Sequence, residues 1–161
     1  MKIANNLLKI KSELPEDVKL VAVSKTKPIE DIKSAYKTGQ LDFGENKIQE
    51  LVSKYDSLPK NIKWHMIGHL QSNKVKYIAP FIHLIHSVDS IKLIREINKQ
   101  AIKNNRTINV LIQIDISNDK TKFGFSVDDF HVILKDELLS TFNNLKVVGL
   151  MGMASFTDNQ Y

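Results

Sequence analysis

The chain contains no cysteine, which excludes disulfides, thiolate nucleophiles and cysteine-ligated metal sites together. No apolar run approaches the roughly 18 residues that a membrane-spanning helix needs. The opening Met1-Lys2-Ile3-Ala4-Asn5-Asn6 turns polar too soon for the apolar region of a secretory signal. Arginine is scarce, with only Arg95 and Arg106, so the positive charge is almost wholly lysine. With six glycines and four prolines in 161 residues, no linker, low-complexity segment or internal repeat stands out. A cytoplasmic protein that neither spans a membrane nor carries disulfides is the expectation.

What is present fits one globular domain over residues 1–161. Hydrophobic residues make up 42% and charged residues 25%, ordinary values for a folded domain, and the length supports one core rather than two. The net charge of +5 and pI near 9.3 raise nucleic-acid binding. However, lysines alternate with acids along helical segments (Glu30, Asp31, Lys33; Lys92, Arg95, Glu96, Lys99), as on solvated faces. No basic block appears, and no nucleic-acid partner is expected.

Periodicity places a first helix over Ala4–Leu14, then six strands. They are Leu20–Val23, Leu41–Gly44, Lys63–Ile67, Ile82–Ser87, Ile108–Ile116 and Leu145–Leu150. Helices are expected between them: from Pro28 to Gly39, Glu45–Tyr55, Gln71–Ala79, Ser90–Asn104 and Val127–Leu139, the last capped by Ser126. Such alternation means βαβ units and a parallel sheet, an α/β fold. A dinucleotide-binding sheet would carry a glycine-rich loop after its first strand; here that loop is Ser24-Lys25-Thr26-Lys27-Pro28. A (β/α)8 barrel fits better, although a closed one needs eight strands.

The carboxyl ends of the strands gather polar residues and glycines. They are Ser24-Lys25, Gly44-Glu45-Asn46, Gly68-His69, His86-Ser87-Val88-Asp89, Asp115-Ile116-Ser117 and Met151-Gly152. Ligands of α/β folds sit at this end of the sheet. Lys25 ends an apolar strand there, with Lys27 nearby, so its amine is placed to attack a carbonyl. The histidines are not expected to hold a metal. A strand and Gly68 separate His65 from His69, and His83 and His86, three apart in a strand, should face opposite sides. No Ser-His-Asp arrangement and no phosphate-cradling Walker loop can be assigned.

Four segments carry a family resemblance: Val21-Ala22-Val23-Ser24-Lys25-Thr26-Lys27-Pro28, Phe43-Gly44-Glu45-Asn46-Lys47-Ile48-Gln49-Glu50, Trp64 to Lys74 (Trp64-His65-Met66-Ile67-Gly68-His69-Leu70-Gln71-Ser72-Asn73-Lys74) and Gly149-Leu150-Met151-Gly152-Met153. Together they resemble the pyridoxal phosphate homeostasis proteins, relatives of the alanine racemase barrel domain, and Lys122-Phe123-Gly124-Phe125 fits as well. The resemblance implies a TIM-type barrel that binds pyridoxal 5′-phosphate (PLP), the vitamin B6 cofactor, with about the first six β/α units present here. It makes Lys25 the Schiff-base lysine. Asn46 lines the cofactor face, Ser87 adds to it from strand four, and His69, Met151 and Gly152 close the sides from the strand-three and strand-six loops.

The family implies carriage of PLP without established catalysis. The alternative is a PLP-dependent racemase or decarboxylase, which needs an acid or base at each cofactor face; His69 and Tyr161 are the available candidates. The family continues with two further strand-helix units, bearing a serine-containing phosphate loop and an arginine, that have no counterpart in these residues. The chain is therefore expected to be C-terminally incomplete, with open edges on strands one and six through which it self-associates. The full-length form is expected to be a monomer.

Overall fold

The computed structural model describes residues 2–116, 123–135 and 138–154. Helix α1 (Lys2–Glu13) precedes five β/α steps and a sixth strand in the order β1 (Ala22–Val23), α2 (Ile29–Lys37), β2 (Asp42–Glu45), α3 (Ile48–Ser57), β3 (Lys63–Met66), α4 (Val75–Ile78), β4 (Leu84–Val88), α5 (Ile91–Lys103), β5 (Ile108–Ile114), α6 (Val127–Lys135) and β6 (Leu145–Gly152). The strands form one parallel sheet in sequential order, β1-β2-β3-β4-β5-β6. Each strand lies beside its predecessor, the arrangement of successive barrel strands.

The register divides the strand residues between two faces. Ala22, Phe43 and Trp64 stand side by side, as do Met66 and Ile85, then Ile85 and Val110. Most of these are buried with residues of the surrounding helices in one apolar cluster. Helix α5 shows the packing most plainly. Ser90 opens it by accepting a hydrogen bond from the Leu93 N–H at 3.3 Å. Leu93, Ile94, Ile97 and Ala101 then recur on one face and are buried; each leucine or isoleucine side chain contributes about 1.5–3 kcal/mol over an exposed one. Ser126 likewise caps α6, accepting from Asp129 N–H at 3.0 Å.

Several boundaries differ from the sequence expectation for identifiable reasons. The first strand pairs over two residues only, because the Gln40 side chain takes the Leu20 carbonyl (2.9 Å) in place of a ladder partner. It is not buried on both faces: Val23 is 53% exposed, and among the described residues β1 has a strand neighbour on one side only. Glu45 ends β2 instead of opening α3. The segment from Gln71 to Ala79 splits into a 3-10 turn, Ser72–Lys74, and the short α4, which stops ahead of Pro80. Helix α6 spans Val127–Lys135, and a second 3-10 turn, Leu138–Thr141, takes the last two residues of the helix expected to run from Val127 to Leu139.

β5 ends at Ile114 because Phe125 takes over its pairing, donating its N–H to Gln113 O (2.8 Å) and accepting from Asp115 N–H (2.9 Å). Gly124 makes that approach feasible, with φ of 139° and a position where a Cβ would lie 2.7 Å from Asp115 N.

Candidate functional site

Lys25 follows β1 at the carboxyl edge of the sheet, exposed, with no hydrogen bond or ion pair on its amine among the described residues. The residues on either side of it are clamped. Ser24 donates its N–H to Gly44 O at 2.9 Å and its hydroxyl to Glu45 Oε1 at 2.6 Å. Beneath them lies Lys54 from α3, whose ammonium donates to Ser24 O (2.7 Å), Glu45 Oε1 (2.7 Å) and Glu50 Oε1 (2.6 Å). All three N–H donors of that ammonium are therefore used.

Glu50 in turn accepts from the Thr26 N–H at 2.6 Å. Thr26 has φ of 62°, a left-handed conformation uncommon for a β-branched residue. The Glu50 hydrogen bond holds it there. The hydrogen bond from Lys54, above all, keeps the Glu50 carboxyl below the usual carboxylate range, with the Thr26 N–H adding to it and burial opposing. Glu45 and Glu50 fall in the segments singled out in the sequence, but Lys54 and its network with them do not show there. The four-residue spacing of Glu50 and Lys54 is legible as a helical pair, but such pairs are ordinarily solvent-exposed, and nothing local says that Lys54 is 5% exposed.

Carrying the β1–β2 register onward from Val23↔Gly44 sets Lys25 beside Asn46. Gly68 packs against Asn46 so closely that a Cβ there would stand 2.6 Å from Asn46 O and 2.8 Å from its Cα. The Gly68 carbonyl accepts the Ser87 hydroxyl at 2.5 Å. Asn46, Gly68 and Ser87 thus form one contiguous rim across the ends of β2, β3 and β4. His69 shares with Asn46 a depression of about 250 Å³ that Gln71 and Lys74 also line. Its Nδ1 lies 2.9 Å from Asp89 Oδ2, and its ring stacks on Phe123 with centroids 3.8 Å apart.

Met151 and Gly152 end β6, paired with Gln113 and Ile114. They lie on the strand at the opposite edge of the sheet from Lys25 and are not brought to it by strand pairing. Gly152 packs on Ile116, where a Cβ would come 3.0 Å from Ile116 Cδ1. Ser117, Lys122, Ser155 and Tyr161 lie outside the described residues.

The histidines depart from expectation. His83 precedes β4 and His86 lies within it, where the pairing with β5 shifts register. Strict alternation therefore fails, and both rings reach His65, with centroids 5.3 Å and 5.1 Å from it. His65 Nδ1 is 2.8 Å from His86 Nε2, and His65 Nε2 is 3.0 Å from Asp42 Oδ1. Burial lowers the pKa of all three, moderated at His65 by the Asp42 carboxylate and carried at His86 to about 4.

Comparison with known proteins agrees with this arrangement. The family model described as alanine racemase, N-terminal domain, matches residues 1–161. The pyridoxal phosphate homeostasis protein of Haemophilus influenzae is 41% identical over 145 residues, which are 88% of this chain and 60% of that protein. That of Pasteurella multocida is 39% identical over 172 residues, covering 99% of this chain and 73% of the relative. Among solved structures, Synechococcus elongatus PipY with PLP bound superposes with a TM-score of 0.87 at 35% identity, over 96% of this chain and 72% of PipY.

An alanine racemase of Clostridium difficile, 16% identical with a TM-score of 0.74 over 98% of this chain and 41% of its own, shares the fold. The chain spans about 60% of the length of the first curated relatives it matches. On the family match across its whole length and the identity to these relatives, the chain belongs to the alanine racemase N-terminal domain family and, within it, to the pyridoxal phosphate homeostasis proteins.

Proposed function

We propose that this chain is a PLP-binding protein of the cytoplasm that holds the cofactor through Lys25 and carries it without turnover. The observation that supports this most directly is the clamp around Lys25. Ser24 and Thr26 are fixed by the Glu45–Lys54–Glu50 network, while the amine between them is exposed and has no partner among the described residues. PLP supplies an aldehyde with which a primary amine condenses, releasing water. A lysine on a fixed backbone meets that aldehyde with little loss of freedom.

The rim has the right chemistry for a polar planar ring. The Gly68 approach leaves backbone rather than side chain beside Asn46, Asn46 and His69 offer polar groups at the ends of β2 and β3, and the buried Ser87 fixes the Gly68 carbonyl between them. We assign Met151 and Gly152, at the carboxyl end of β6, to the same site by family resemblance, although β6 lies at the opposite edge of the sheet from β1. The surroundings of His69 support carriage over racemase or decarboxylase turnover: it is committed to Asp89 and stacked on Phe123 and so is poorly placed to shuttle protons at a cofactor face.

The test is the visible absorbance of PLP added to the purified chain. Wild type is expected to show a bound-cofactor band that borohydride traps on Lys25, and Lys25→Ala to lose both band and adduct. A band retained in that variant, or an adduct on another lysine, rejects the assignment. Alanine racemisation near about 1 per second, the low end of ordinary enzymes, would favour the enzyme reading.

A further inference from the structure

We infer that Asp42, His65 and His83 form a binding site for one divalent first-row transition-metal ion of the zinc and cobalt type. The three residues come from β2, from β3 and from the position before β4, and each offers one donor atom, all within 4.8 Å of one another. It is the one such group among the described residues. Two imidazoles and a carboxylate suit zinc, cobalt or nickel rather than magnesium or calcium. Three protein ligands leave a fourth position for water.

The geometry is close to what such an ion needs. Bonds of about 2.0–2.2 Å in a tetrahedral site place ligand atoms about 3.3–3.6 Å apart. His65 Nε2 and Asp42 Oδ1 already stand 3.0 Å apart. The His83 ring is half-buried, and its nitrogens make no hydrogen bond among the described residues, so it is free to turn in and close the remaining gap.

His86 supplies the outer contact that metal-bound histidines commonly have. When His65 Nε2 binds the ion, its proton resides on Nδ1 and is donated to His86 Nε2, 2.8 Å away. Lys19, Lys63 and Arg106 add positive charge around the cluster. That charge disfavours ions held by electrostatics alone and selects for those forming strong bonds to nitrogen. The cluster sits towards the amino ends of the strands, away from Lys25, and the inference does not rest on PLP binding.

The test is titration of the chelator-treated 161-residue chain with Co2+, reading its visible d–d band, followed by displacement with Zn2+ and elemental analysis after dialysis. One equivalent is expected, with the intense band of a four-coordinate site. His83→Ala and Asp42→Asn should each weaken binding at least tenfold. His86→Phe should weaken it about 10–100-fold, as loss of an outer-shell partner does, and His131→Ala, on the exposed face of α6, should leave it unchanged. Far-UV circular dichroism checks that each variant is folded; His83→Ala removes a half-buried ring without hydrogen bonds and keeps the fold. Failure of the folded wild type to retain metal overturns the site, as does wild-type affinity in both His83→Ala and Asp42→Asn.

Discussion

Lys54 Nζ lies 2.7 Å from Glu45 Oε1, with the two side chains only 6% and 0% exposed. A buried pair of this kind adds little over a well-packed apolar pair, but removing one partner leaves an uncompensated charge. Lys54→Met is therefore expected to destabilise the chain by about 3–5 kcal/mol, read from urea unfolding. Lys54→Met combined with Glu45→Leu should recover much of that loss yet still weaken PLP binding, because Ser24 and Thr26 lose their common anchor. Full PLP affinity in a stable double variant would show that the network supports the fold and not Lys25.

Gly68 has no room for a side chain. A Cβ would meet Asn46 backbone atoms at 2.6 and 2.8 Å, and backbone cannot swing aside as a side-chain tip can. Gly68→Ala is expected to cost about 1–3 kcal/mol, the range for overpacking, and to reduce PLP binding by moving Asn46. Gly149→Ala meets only the tip of Leu111 at 3.3 Å and should cost less. Equal melting temperatures for the two variants would contradict this reading.

Acid should destabilise the fold through the histidine cluster. Burial lowers the folded-state pKa of His65, His83 and His86, that of His86 to about 4. In the unfolded chain they titrate near their ordinary value of about 6.5. Below that value the unfolded state binds more protons, so stability is present at neutral pH and lost as the pH falls toward 4. Each histidine contributes a slope of up to about 1.4 kcal/mol per pH unit. The Glu50 contribution, from a lowered carboxyl pKa, is lost only at still lower pH. Urea midpoints between pH 7 and 4.5 should fall in wild type and fall less in His86→Phe; a flat wild-type profile would exclude the histidines as the cause.

The sheet edges are expected to drive association. Among the described residues, β1 and β6 each have one strand neighbour, which leaves the other side of each as an open edge for pairing. Val23, Val148 and Leu150 beside them are 53%, 47% and 58% exposed. Light scattering should show mass rising with protein concentration, and Val148→Lys should shift the chain toward monomer. A monodisperse wild-type monomer across the concentration range would count against pairing of the edges.

Much of this protein was legible from local pattern. Six alternations of apolar strand with amphipathic helix, and the Ser90 and Ser126 caps, follow from period and capping chemistry that act over a few residues. The place of Lys25 at the end of a strand, with Asn46 at the end of the next, follows from the same pattern. The tertiary structure alone decided the rest. Lys54 reads as an ordinary solvated helix lysine until α3 lays it under β1 and β2, where three acceptors from residues 24, 45 and 50 replace water. Asp42, His65 and the His83–His86 pair lie far apart in the chain, and the last two are out of phase by simple alternation. Parallel register and the irregularity in β4 bring their rings and carboxylate together. Contacts between strands depend on register and burial, which short-range sequence patterns do not encode.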